Sequence, residues 1–270
     1  MRWQDESSKH FPVWFLLGIA LAGTLPAQSL LTNHEFQLVN REFDQLTGRY
    51  QYFVEKVVGS EIPNNSLNRL KILSEDQYKY PDPLSGCGPT SMLNILIWYE
   101  KYGLIESMNR DSDTERYKQN LFKEIDQRLN QQSGRSRAEM NGTNNYDAAM
   151  VMDALIKERS AGKLRLHTDF VDAPIELSDF LETMPNYRAG YLVVFPKNPE
   201  TGNLMDAHAV TLIRVDRAGY ISIGSWGLIF RGLLKKVGDQ QWLIAEENEN
   251  GNQIEFLVAG MMRFIPFKPE

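Results

Sequence analysis

The sequence predicts an α+β protein, with helices in its first half and an antiparallel sheet in its second. Two observations carry the helices. Residues 88–102 read as a helix whose centre, Met92–Tyr99, is apolar but for Asn94, and Tyr146–Arg159 places Ala149, Met150, Met152, Ala154, Leu155 and Ile156 at helical intervals. The third observation is a change of pattern from Ala189 onward, where short β-rich runs alternate with turn residues.

In chain order, residues 1–27 read as a secretory signal peptide. Arg2 and Lys9 precede the apolar run Phe11–Ala27, which ends in small residues before Gln28-Ser29. The alternative is a signal anchor over residues 11–27, although that run carries two prolines and is at the short limit of a membrane span. Residues 28–74 form an extension in which Tyr50, Tyr52, Val54 and Val58 suit a strand. The main domain is expected over residues 75–270, and Pro81-Asp82-Pro83 forces a loop near its start. Residues 106–145 are strongly polar, with one helix over Thr114–Leu129 and a loose tail over 131–145, and read as an insertion or lid-like connection. A short helix is expected over Ile175–Thr183. Strands are expected at Gly190–Phe195, Ala207–Val215, Tyr220–Ile223, Leu228–Lys235, Trp242–Ala245 and Ile254–Phe264, the second and third joined as a hairpin through Asp216–Gly219.

Composition narrows the function. At 270 residues the chain can bury an ample core without disulfides or a metal. A net charge of −6 and a pI near 5.4 argue against a nucleic-acid partner and against a polybasic membrane-surface protein. A single cysteine excludes a disulfide framework and a multi-cysteine zinc site. No His/Asp/Glu cluster has ligand spacing and no glycine loop is built to cradle phosphate, so neither a metal nor an organic cofactor is expected. Membrane contact is expected only through an uncleaved N-terminal segment, if at all.

The lone Cys87 stands in Ser85-Gly86-Cys87-Gly88-Pro89-Thr90-Ser91, ahead of Met92-Leu93-Asn94-Ile95-Leu96-Ile97-Trp98-Tyr99. Such a helix is apolar nearly all round, with Ser91 and Asn94 as interruptions, and belongs in the centre of a domain. Pro89 suits a first helical turn, which puts Cys87 at the helix tip. Free backbone N–H groups and the helix dipole are expected to lower the thiol pKa there. A free thiol in an exported protein, framed by two glycines and a proline, reads as a nucleophile rather than as a small core hydrophobe.

A thiol nucleophile needs a base. His208, in Asp206-Ala207-His208-Ala209-Val210-Thr211-Leu212-Ile213, begins an apolar strand and is the best placed of the histidines. His34 has no patterned neighbours, and His167 reads as an exposed strand residue.

These residues resemble the papain-like cysteine protease superfamily, and within it the C39-like peptidases. The resemblance rests on GCGPTSMLNIL, on AHAVTLIRVD 121 residues later, and on Ser225-Trp226-Gly227, and it covers roughly residues 75–230. It implies a helical N-terminal lobe packed on an antiparallel β-sheet lobe, with Cys87 and His208 facing each other across a cleft. It implies a hydrolase of the thiol protease type, acting on a peptide or protein substrate. It also implies a glutamine upstream of the cysteine to hold the oxyanion, for which Gln77 is the candidate, against an ordinary surface-loop glutamine. Trp226 would shield the histidine's orienting bond, against a plain core tryptophan.

The sequence departs from the family at Gly224, sixteen residues after His208, where Asn or Asp is expected to hold the imidazole. Ser222, Asp206 or Asp216 could take that task, a dyad could work unaided, or the site could be defunct. If the vacancy at 224 is the defect, Gly224→Asn should raise the rate. The rival to a peptidase is an inactive papain-fold module that binds peptide or a cell-envelope polymer.

Overall fold

The computed structural model describes residues 74–101, 103–106, 113–183, 189–198, 200–215, 219–245 and 254–270. The signal peptide, nearly all of the 28–74 extension with its strand, His34, and Asp216 with the start of the hairpin turn lie outside the described residues. None of the described helices is long and apolar enough to cross a membrane.

Two single-turn 3-10 helices, Gln77–Lys79 and Pro83–Ser85, lead into α1 (Cys87–Lys101). Then come α2 (Thr114–Ser133), α3 (Arg137–Met140), α4 (Asn145–Arg159), β1 (Arg165–Asp172) and α5 (Leu177–Thr183). The chain ends in β2 (Ala189–Pro196), β3 (His208–Val215), β4 (Tyr220–Ser225), β5 (Leu228–Val237), β6 (Gln240–Ala245) and β7 (Glu255–Phe267).

Every pairing in the sheet is antiparallel, in the order β1-β7-β2-β3-β4-β5-β6, and β6 also pairs with β7. Six strands therefore close on themselves and β1 adds outside the ring. One edge of β7 makes both contacts: Glu255–Leu257 pair with β6, and Gly260–Phe267 pair with β1. A register shift at Val193/Val194 lets the β2–β7 pair bend around the closure.

Strand alternation sorts the two cores. Tyr191, Met262 and Phe264 join the helical cluster with Leu93, Leu96 and Leu155, whereas Leu192, Val210, Ile223, Phe230 and Phe256 fill the inside of the ring. Both faces of β2 are covered, which is why its eight residues are buried or nearly so. The two polar interruptions of α1 tie the lobes together. Ser91 Oγ donates to Ala209 O at 3.3 Å, and Asn94 Nδ2 donates to Thr211 Oγ1 at 2.9 Å.

Two expectations need correction. Met150 was expected on the apolar face of its helix but is exposed; Ala148 and Val151 are buried there instead. The polar 106–145 segment is not lid-like where it is described. Its helix runs on to Ser133 and buries Leu121, Phe122, Ile125 and Leu129 in the helical core. Its tail holds the short α3, started by a Ser136/Glu139 capping box. The polar composition misleads because the helix shows a broad charged face to water and spends only one narrow stripe on the core.

Candidate active site

Cys87 opens α1, and Pro89 sits in the first turn, where its missing N–H costs no helical bond. The side chain is half-buried, and the nearby backbone N–H groups of Ala209, Gly88 and Cys87 itself favour its thiolate. Ala209 follows His208 directly, so the nucleophile candidate lies against the strand that carries the base candidate. Gly88 has to be glycine. A Cβ there would stand 2.8 Å from the Thr143 Cβ and 2.7 Å from its Oγ1, so the loop before α4 closes directly over the helix tip.

His208 is 7% exposed at the start of β3. Its ring stacks on Trp226, with centroids 4.4 Å apart and planes within 9°. Its Nε2 is 2.6 Å from Ser225 Oγ. Trp226 lies flat on the imidazole and also packs edge-on to Phe230. The residue at the imidazole is Ser225, not Ser222 or Asp206. Asp206 is exposed, and Ser222 lies farther up β4, opposite Arg214 and Arg231.

Strand parity explains this. Gly224 is directly across from Thr211, so a side chain at 224 would share the face on which Thr211 meets α1. His208 is an odd number of residues from Thr211, and Ser225 an odd number from Gly224, so these two share the opposite face. Asparagine at 224 would point away from the imidazole, which overturns the expectation of a rate gain there. Sequence reasoning passed over Ser225 by treating it as a fixed part of the Ser-Trp-Gly tripeptide; the alternation of a strand started at Tyr220 could have found it.

Gln77 is not a surface glutamine. It is 7% exposed, its Nε2 donates to Pro83 O at 2.7 Å, and its Cβ would lie 3.5 Å from a Cβ at Gly86, the residue before Cys87. On the other side, Asp76 Cβ would be 3.3 Å from a Cβ at Gly227. The Asp76-Gln77 segment thus lies between the cysteine loop and the Trp226-Gly227 turn. The amide has a second N–H beyond the one given to Pro83. His167 is exposed on β1, with Nε2 2.8 Å from Asp169 Oδ1, and takes no part.

Burial governs the charges. It raises the Cys87 thiol above its usual 9.0, against the lowering effect of the three N–H donors and of the Arg137 charge. The expected low thiol pKa at a helix tip is therefore corrected, because the desolvation of a thiolate outweighs the helix-end donors. Burial also drives His208 from 6.5 down to about 4. At rest the thiol and the imidazole are both neutral.

A stability prediction follows. Between pH 6.5 and about 4 the unfolded chain takes up a proton that the folded His208 refuses. That contribution is complete above pH 6.5 and is lost as pH falls toward 4. The loss is on the order of 3 kcal/mol from this one group. Urea unfolding at pH 7 and pH 4 should show wild type losing more stability than His208→Gln; equal losses would refute the depressed pKa.

Among the described residues, no group of His, Cys, Asp and Glu could hold a metal ion. No protein-family model matches the chain, and no curated protein matches it.

Proposed function

We propose that the protein is an exported cysteine peptidase of C39-like, papain-like type, hydrolysing peptide or amide bonds through Cys87 and His208. The observation that carries this reading is the held imidazole, with Ser225 at Nε2 and Trp226 flat on the ring, on the strand that the Cys87 helix meets through Ser91 and Asn94.

In this mechanism the Cys87 thiol proton passes to His208 as the sulfur attacks the carbonyl carbon. The tetrahedral oxyanion accepts hydrogen bonds from the Cys87 N–H and from the second N–H of Gln77. His208 then gives its proton to the leaving amine, and water hydrolyses the thioester to free the acid and the thiol. Since the resting pair is neutral, His208 acts as a general base during attack and does not hold a preformed thiolate.

The second reading, a binding module with an inactive cleft for peptide or a cell-envelope polymer, is favoured by two observations. Burial disfavours both charged forms of the pair, and a hydroxyl stands where the family has an amide or carboxylate. One experiment separates the two: the full chain is made in an exporting bacterial host, its N-terminus is read by mass spectrometry, and it is incubated with a mixed peptide library. A chain that starts near Gln28 and yields new peptide termini is expected. An intact library sinks the peptidase, and an intact N-terminus in the membrane sinks the cleaved signal peptide.

A further inference from the structure

The three residues before Gly86 and Cys87 form a tight 3-10 turn, Pro83–Ser85, preceded by Asp82 in a left-handed conformation (φ 50°). Such a turn has little to hold it by itself. What grips it comes from the polar segment. Arg137, at the start of α3, is 1% exposed. Its Nη1 donates to Ser85 Oγ at 3.1 Å and its Nη2 to Pro81 O at 3.4 Å, so the guanidinium spans both ends of the turn. Its Nε donates to Asp126 Oδ1 of α2 at 2.5 Å, and its Cζ lies 5.5 Å from the Phe122 ring centroid. Between the two gripped ends, Pro83 O receives the Gln77 amide. The far side of the loop is anchored on the same helix: Tyr80 stacks on Phe122 at 4.3 Å, and Lys118 pairs with Glu75.

We propose that Arg137 is a positioning residue, whose guanidinium fixes the Pro81–Gly86 loop so that the Cys87 sulfur and the Gln77 amide stand in register for attack. The kinetic consequence rests on the peptidase reading; the effect on the thiol does not. A planar fork can serve Ser85, Pro81 and Asp126 together, whereas a lysine keeps the charge and can serve only part of the set. The Arg137 charge also favours the thiolate of Cys87. The other titratable group linked to that sulfur is Tyr191 on β2, whose hydroxyl burial holds in its neutral form.

The test compares wild type, Arg137→Lys, Arg137→Met and Ser85→Ala in the full chain. It reads kcat and KM on one library-derived peptide, the pH midpoint of Cys87 alkylation by iodoacetamide, and Tm. Arg137→Lys should lower kcat roughly five-fold with KM within about two-fold, the size of one lost hydrogen bond. Ser85→Ala should lower it less, and Arg137→Met should move the alkylation midpoint upward. If Arg137→Met does not fold, Arg137→Lys and Ser85→Ala decide. An active wild type whose folded variants keep its kcat and alkylation profile, even with a lower Tm, overturns the positioning role and leaves the peptidase standing. A wild type that cleaves nothing, yet whose alkylation profile shifts in the variants, overturns the peptidase and leaves the positioning role standing.

Discussion

Cys87→Ala is expected to abolish peptide cleavage while leaving the fold intact. The sulfur is the only thiol in the chain, and no hydroxyl replaces it in alanine, so no acyl-enzyme can form. The structural cost is small because the side chain is half-buried and loses one atom, on the order of 1 kcal/mol. His208→Gln should also lose most activity, roughly 100-fold or more, since general-base transfer contributes about that much. The measurements are kcat/KM on one peptide and Tm. Cleavage by Cys87→Ala within about ten-fold of wild type would remove the thiol from the mechanism. Alkylation adds a second view. With both partners neutral at rest, Cys87 should label slowly at pH 7 and faster above the ordinary thiol range; rapid labelling at pH 6 would show a preformed ion pair and overturn the neutral one.

Much of this arrangement is legible in the residues. The all-round apolar helix after Cys87 and the β-rich runs from Ala189 set the architecture, because helical and strand periodicities differ and burial enforces each. The places of Cys87 at a helix tip and of His208 at a strand start are also legible. What the sequence conceals depends on long-range partners. Arg137 reads as one more charge in a polar stretch, and only its packing against Phe122 and Ser85 shows it to be buried. The Ser136-x-x-Glu139 capping box was the one local sign that a helix starts there. The thiol's upward shift was equally hidden: a helix end argues for a thiolate, but how much water is removed from the sulfur is decided by β3 and the loop over Gly88.

The departure at Gly224 then has a different meaning. The imidazole is not without an orienter; it has a weaker one. Asparagine oxygen and aspartate only accept, so either forces the proton onto Nε2 and leaves Nδ1 free as the base. The Ser225 hydroxyl both donates and accepts, so it fixes the ring's position without choosing the tautomer, and being neutral it supports the imidazolium less than a carboxylate would. That agrees with a His208 pKa held down at about 4 by burial, with nothing to raise it again. Ser225→Ala is therefore expected to lower kcat at least ten-fold, about 1.4 kcal/mol of barrier, while Ser225→Thr retains most of the rate because it keeps the hydroxyl. Gly224→Asn should give no gain, since its side chain would enter the face that packs on α1 beside Thr211. The decisive measurement is kcat/KM for the four proteins with Tm as control. A Ser225→Ala protein as active as wild type, or a well-folded Gly224→Asn protein that is faster, would mean that the residue steadying His208 in the reaction is not the one at its Nε2 in this structure.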